Sequence, residues 1–135
     1  MTSSTVPHGV YFHDARIQKV CLDIDRRLIY DFSSLPVICA AGKIREVYSY
    51  AARVVVHDVG DFKASVAWRD DYLVLGAQVD GRDETESDAP AFLSDPLACT
   101  RFTLIFLSGR FDCMCTQLSV QLGERGRMVE AWTEE

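Results

Sequence analysis

The chain has 135 residues, 48% of them hydrophobic and 25% charged, with 20 Asp and Glu against 14 Lys and Arg and a formal net charge of −6. A chain of this length is most simply one domain, and it buries about two-thirds of its unfolded surface, so neither disulfides nor a metal is needed for folding. The acidic balance argues against nucleic acid as a ligand, because phosphate contacts need clustered Lys and Arg, and no apolar run is long enough to cross a bilayer as a helix.

Met1 to Tyr11 carries neither a basic n-region nor an apolar h-region, so a signal peptide is not expected, and residues 1–10 read as a flexible start to a cytoplasmic protein. Phe12-His13-Asp14-Ala15 follows and reads as the entry to a β-hairpin. Val20, Leu22 and Ile24 alternate with Lys19, Cys21 and Asp23; Asp25-Arg26-Arg27 interrupts; Leu28, Tyr30 and Phe32 resume the alternation. That period of two predicts two strands with one face buried, ended by Ser33 to Pro36.

Residues 43–53 fit a helical stripe or a strand face, and the β-branched run Val54-Val55-Val56 favours a strand from Tyr50 onward. Gly60-Asp61 reads as a turn. Phe62 to Trp68 and Tyr72 to Val79 flank Arg69-Asp70-Asp71 as a second hairpin, and Arg101 to Leu107 and Phe111 to Leu122 flank Ser108-Gly109-Arg110 as a third. Gly123-Glu124-Arg125-Gly126 reads as a turn into a last strand, Met128 to Thr133. The expected fold is all-β or β-rich α+β: one domain over 1–135, a mostly antiparallel curved sheet or sandwich of about seven or eight strands with little helix.

One stretch stands apart. Residues 80–96 hold Asp80, Asp83, Glu84, Glu86, Asp88 and Asp95 against a single Arg82. A connection this long in a compact domain is usually functional or disordered; its plainest reading is a solvated surface loop, and the sharper one a contact surface for a basic partner. Charge is also lopsided along the chain. Residues 1–69 carry nine Lys and Arg against seven Asp and Glu, and residues 70–135 five against thirteen, so the second half holds −8. Such a field steers encounter with a basic protein. Asp80, Asp83, Glu84, Glu86 and Asp88, with Phe92 as an apolar anchor, are the candidate partner-binding residues.

The chemistry-bearing residues form no complete catalytic set. His13-Asp14 and His57-Asp58 are dipeptides of the kind metal-dependent phosphohydrolases use, but adjacent strand residues point to opposite faces and cannot easily serve one metal. Asp14 is instead expected to hydrogen-bond backbone amides at a strand start, with His13 partly exposed. Cys113 and Cys115 share a strand face and could join Cys21, Cys39 or Cys99 and a His in a zinc site, yet the two-residue spacing of structural zinc sites is missing. An odd count of five cysteines fits free thiols, four of them with apolar neighbours. No Gly-x-Ser-x-Gly elbow and no phosphate-cradling loop occurs. No metal, no cofactor and no catalytic residue is expected.

Tyr11-Phe12-His13-Asp14-Ala15-Arg16-Ile17, with the hairpin after it, resembles a group of small bacterial β-rich domains that begin with an aromatic-His-Asp-Ala segment. Several of these are similar to immunity proteins, which neutralise a toxin by binding it. The likeness runs over 11–32 and recurs more weakly over 101–122. It implies a non-enzymatic protein-binding domain that neutralises a toxin, and it carries over no catalytic or binding residue; the acidic balance adds the expectation of a basic toxin whose active cleft the domain occludes. The alternatives are a β-rich adaptor or oligomeric module, and a metal-dependent hydrolase.

Overall fold

The computed structural model describes residues 5–67, 72–84, 93 and 96–134. Among them the chain forms eleven strands and no helix. They are β1 (Val6–Val10), β2 (Arg16–Leu22), β3 (Leu28–Ala41), β4 (Ile44–His57), β5 (Gly60–Ala64), β6 (Gly76–Val79), β7 (Arg82–Asp83), β8 (Leu97–Ala98), β9 (Arg101–Phe106), β10 (Gly109–Met114) and β11 (Gln117–Thr133). Two antiparallel sheets result. The first runs β1-β3-β4-β11-β8, with β2 also paired to β3; the second runs β5-β10-β9-β6-β7. The protein is an all-β sandwich, with more strands than the seven or eight expected because the short segments β1, β7 and β8 pair as well.

Three long strands carry the first sheet. The alternation read over 20–32 is real: β2 and β3 pair with Val20 opposite Tyr30 and Leu22 opposite Leu28. Asp23 closes their turn, accepting the amides of Asp25 and Arg27 at 3.0 Å each and the Arg27 guanidinium at 2.9 Å. Burial is one-sided within the pair, however. Leu28, Tyr30 and Phe32 are buried, whereas Leu22 is 54% and Ile24 99% exposed. Ser33 to Pro36 does not end the strand, since a bulge lets β3 run on to Ala41 and pair with β1. Residues 6–10, expected to be flexible, form that β1. Residues 43–53 belong to β4 almost throughout, so the helical alternative falls.

The reading of 123–126 as a turn is corrected likewise. Gly123 and Gly126 lie inside the single strand β11, where register shifts against β4 mark bulges. A Cβ on Gly123 would stand 2.9 Å from the Ala51 carbonyl oxygen, and one on Gly126 2.7 Å from that of Ser49. Glycine is required there for close backbone approach rather than for turning. Bulges in β3 and β11 fall just past one row, Phe32-Ala52-Leu122, and bulges bend the strands that carry them.

The second sheet overturns one hairpin. Among the described residues, 62–67 and 72–79 do not pair with each other: β5 pairs with β10 and β6 with β9, so the β9–β10 hairpin lies between them. That inner hairpin, Arg101–Phe106 with Gly109–Met114, is as the alternation predicts. After Met114 the chain leaves the second sheet and enters the first as β11. Between the sheets lies an aromatic core. Phe12 contacts Phe102 and Phe32 at ring separations of 5.6 and 5.9 Å, Tyr30 stacks on Phe111 at 6.0 Å, and Phe111 meets Phe106 edge-on at 4.9 Å. Both sheets contribute to this one cluster, which makes the domain a single packing unit.

Candidate interaction site

The 11–15 segment is a crossover between β1 and β2. Its tight turn is closed by the Ala15 amide donating to the Phe12 carbonyl at 3.0 Å, with Asp14 at φ 68°. Left-handed backbone is tolerated by Asp better than by most side chains. The turn drives Phe12, 0% exposed, into the core. Its backbone docks on the stretch before β6: the Asp14 amide donates to Val74 O at 2.8 Å, and the Val74 amide to Ala15 O at 2.7 Å. Among the described residues the carboxylate of Asp14 accepts no backbone amide, contrary to expectation. It is two-thirds exposed and lies 3.7 Å from His13 Nε2. His13 is exposed, and its Nδ1–H donates to the Leu75 carbonyl at 2.7 Å; an acceptor-only partner fixes the proton on that nitrogen.

The root of the acidic stretch meets this crossover. Asp80 and Gly81 turn β6 into β7 with φ of 54° and 81°. Asp80 Oδ1 accepts the Thr100 amide at 2.6 Å, the Thr100 hydroxyl at 2.8 Å and the Arg101 amide at 3.1 Å. Those bonds, the Thr100 amide first, hold its carboxyl below the usual carboxylate range. Asp83 is exposed and accepts Gln78 Nε2 at 2.9 Å. Glu84 turns inward: its amide donates to Ala77 O at 2.9 Å, and its Oε1 accepts the Phe12 amide at 2.9 Å. Of the candidate residues, Asp80 and Glu84 are thus structural struts, and Asp83 presents its charge outward. Glu86, Asp88 and Phe92 lie outside the described residues.

Together the two segments line a cavity of about 260 Å³, walled by Tyr11, His13, Leu75, Asp83, Glu84 and Ile105. Beside it, on the outer face of the first sheet, Tyr11 and Trp132 pack over Ile38 and Val47 in a small satellite cluster. Half-exposed aromatics next to carboxylates are what a protein contact uses: area from the rings, orientation from the charges. Tyr11 escapes the sequence reading as a wall of this cavity because it meets Asp83 and Glu84 only through a pairing some seventy residues apart.

Two other constellations are weaker. A recess of about 610 Å³ crosses the first sheet where Ala51, Ala52 and Gly123 leave room. Its polar row, Lys19-Asp31-Arg53-Gln121, is internally matched, with Arg53 Nε donating to Asp31 at 2.7 Å. His57 Nε2 lies 2.9 Å from Ser119 Oγ across β4 and β11, which is nucleophile-to-base distance. Its neighbour Asp58 accepts the Thr116 hydroxyl at 2.6 Å, and among the described residues no hydrogen bond joins it to the imidazole. The two His-Asp dipeptides have separate partners, and among the described residues no three His, Cys, Asp or Glu side chains are grouped to hold a metal ion.

No family model, no curated protein and no solved structure matches the chain. Among the described residues no helix is long and apolar enough to cross a membrane.

Proposed function

We propose that this protein is a non-enzymatic, cytoplasmic binding domain that neutralises a basic protein, most concretely a toxin domain, by covering its active cleft. The observation that carries the reading is the double anchorage of the acidic stretch. Asp80 and Glu84 spend their carboxylates on the body of the sandwich, through Thr100, Arg101 and Phe12. Charges that follow Glu84 in sequence therefore start from a fixed point beside Tyr11, His13 and Asp83. Preorganised charge speeds encounter and costs less ordering on binding. Asp83, Glu86 and Asp88 would stand in for the phosphates of the toxin's substrate, and Tyr11, Trp132 and Phe92 would supply anchoring area.

The test is co-purification and calorimetry with the product of the adjacent upstream reading frame. A one-to-one complex that abolishes that product's activity supports the reading. An adjacent product that is a metabolic enzyme and forms no complex contradicts it.

A second reading, an adaptor or oligomeric module, draws on β11. Among the described residues, only Gln117 and Leu118 of that strand have a strand partner, β8, on the side away from β4. Met128 and Val129 are 50% and 61% exposed. Bulges, two glycines and the charges of Glu124, Arg125, Arg127 and Glu130 blunt this edge, which is how proteins discourage edge pairing. Light scattering on the purified chain separates the readings: a monomer fits a domain awaiting a partner, and an obligate oligomer fits the module.

A further inference from the structure

The four buried cysteines are not equivalent. Cys39 lies in the far part of the first sheet, 4.0 Å from the Tyr50 hydroxyl. Cys99, Cys113 and Cys115 gather where the chain passes from the second sheet to the first, and Cys99 Sγ stands 3.4 Å from Cys115 Sγ. Both residues are buried, at 4% and 8% exposure. Their backbones are fixed side by side: the Cys99 amide donates to Thr116 O at 3.2 Å and the Cys115 amide to Thr100 O at 3.0 Å. We propose that Cys99 and Cys115 form a redox-active dithiol that closes to an intramolecular disulfide when the protein meets a peroxide.

The sulfurs need to approach by only about 1.4 Å to reach bonding distance. Cys113 is the competing partner for Cys115, but residues two apart on a strand have Cα atoms about 6.5 Å apart, near the upper limit for a disulfide. The chemistry balances in two steps. One thiolate attacks the peroxide oxygen, breaking the O–O bond and giving a sulfenic acid, while the leaving hydroxide takes the displaced proton as water. The second thiol then attacks that sulfur, the S–S bond forms, and a second water leaves. Two sulfurs are oxidised by two electrons in total and one peroxide is reduced. The closure is slow in the closed fold, because the hydrogen bond with Cys115 and burial push the Cys99 thiol up and keep it protonated.

The bond would staple the exit of the acidic stretch to the β10–β11 crossover. Cys99 follows β8 directly, and the next residue, Thr100, is the one Asp80 holds. Oxidation would therefore fix both ends of residues 80–100 at one locus.

The experiment uses the full chain, treated with hydrogen peroxide, then unfolded and capped with N-ethylmaleimide. The reduced protein has five free cysteines and takes five adducts; the oxidised protein is expected to take three. Trypsin should then release a cross-linked pair spanning 83–101 and 111–125, with fragmentation placing the bond on Cys115. The loop closed spans sixteen positions, so the melting temperature should rise by about 5 °C or more, and dithiothreitol should reverse it. Cys113→Ser should still form the bond, and Cys99→Ser should not. Persistence of five adducts, sulfinic acid without a cross-link, a bond mapped to Cys21, Cys39 or Cys113, or only intermolecular dimers would overturn the proposal. Mapping on the wild-type chain decides the matter even where a variant fails to fold.

Discussion

The backbone amide of Phe12 donates to Glu84 Oε1 at 2.9 Å, across 72 positions of sequence. This bond ties a fully buried aromatic of the core to the first turn of the acidic stretch. It changes the meaning of both. The aromatic-His-Asp-Ala segment is the dock on which the acidic stretch is mounted, and Glu84 is part of the mount rather than of the charged surface.

Replacing Glu84 with Ala should leave the Phe12 amide without its acceptor. A hydrogen bond to a charged group contributes about 1.5–3 kcal/mol, so urea unfolding should show a loss of that order. Asp83→Asn, on an exposed carboxylate whose partner among the described residues is Gln78, should stay within about 0.5 kcal/mol of wild type. Equal effects from the two substitutions would contradict the division into strut and surface.

Asp14 matters for its backbone rather than its carboxylate. At φ 68° a Gly should be tolerated or slightly stabilising, whereas Ala should cost about 1 kcal/mol. Phe12→Ala, by contrast, empties the centre of the core and should cost about 3–5 kcal/mol. Thermal melts of the three variants check the order.

Gly123→Ala and Gly126→Ala should each destabilise by about 1 kcal/mol or more, because the new methyl meets the Ala51 or Ser49 carbonyl oxygen. Gly60→Ala, where nothing stands within 4 Å, should be near neutral. A neutral Gly126→Ala would return residues 123–126 to the status of a loop.

How far the sequence carries the fold can be read from these same residues. Alternation with a charged turn located β2–β3, and Gly109 located β9–β10, because hairpins are local and their signals adjacent. The Val54-Val55-Val56 run marked β4 for the same reason. Which hairpin joins which sheet is not a local property. The 62–79 stretch reads as a hairpin, yet its two arms prefer the flanks of β9–β10, where Phe62 and Ala77 join the shared core. Glycines at 123 and 126 carry the same letters whether they turn a chain or admit a neighbouring carbonyl. Glu84 sits in an acidic run and reads as solvated until the fold brings Phe12 to it.

Asp112 supplies a pH dependence. The guanidinium of Arg101 donates to it at 2.9 Å, and this bond, with the Thr103 hydroxyl, holds its carboxyl below the usual carboxylate range. With the folded value below the unfolded one, its contribution is full above about pH 4 and is lost as pH falls through the folded value. Asp112→Asn should therefore flatten the acid limb of the stability curve, measured by urea midpoints from pH 5 down to about pH 2. An unchanged slope would remove Asp112 from the acid response.

The most direct measurement is the association rate with the basic partner, taken between about 50 and 200 mM salt, for wild type and for the triple variant Asp83→Asn, Glu86→Gln, Asp88→Asn. Glu84 is left in place so that the mount survives. The binding account predicts association slower by about tenfold at low salt, a shallower salt dependence, and an unaltered melting temperature. A triple variant that associates as fast as wild type, with the same salt slope, would place the interface elsewhere on the sandwich and contradict the role given to the acidic stretch.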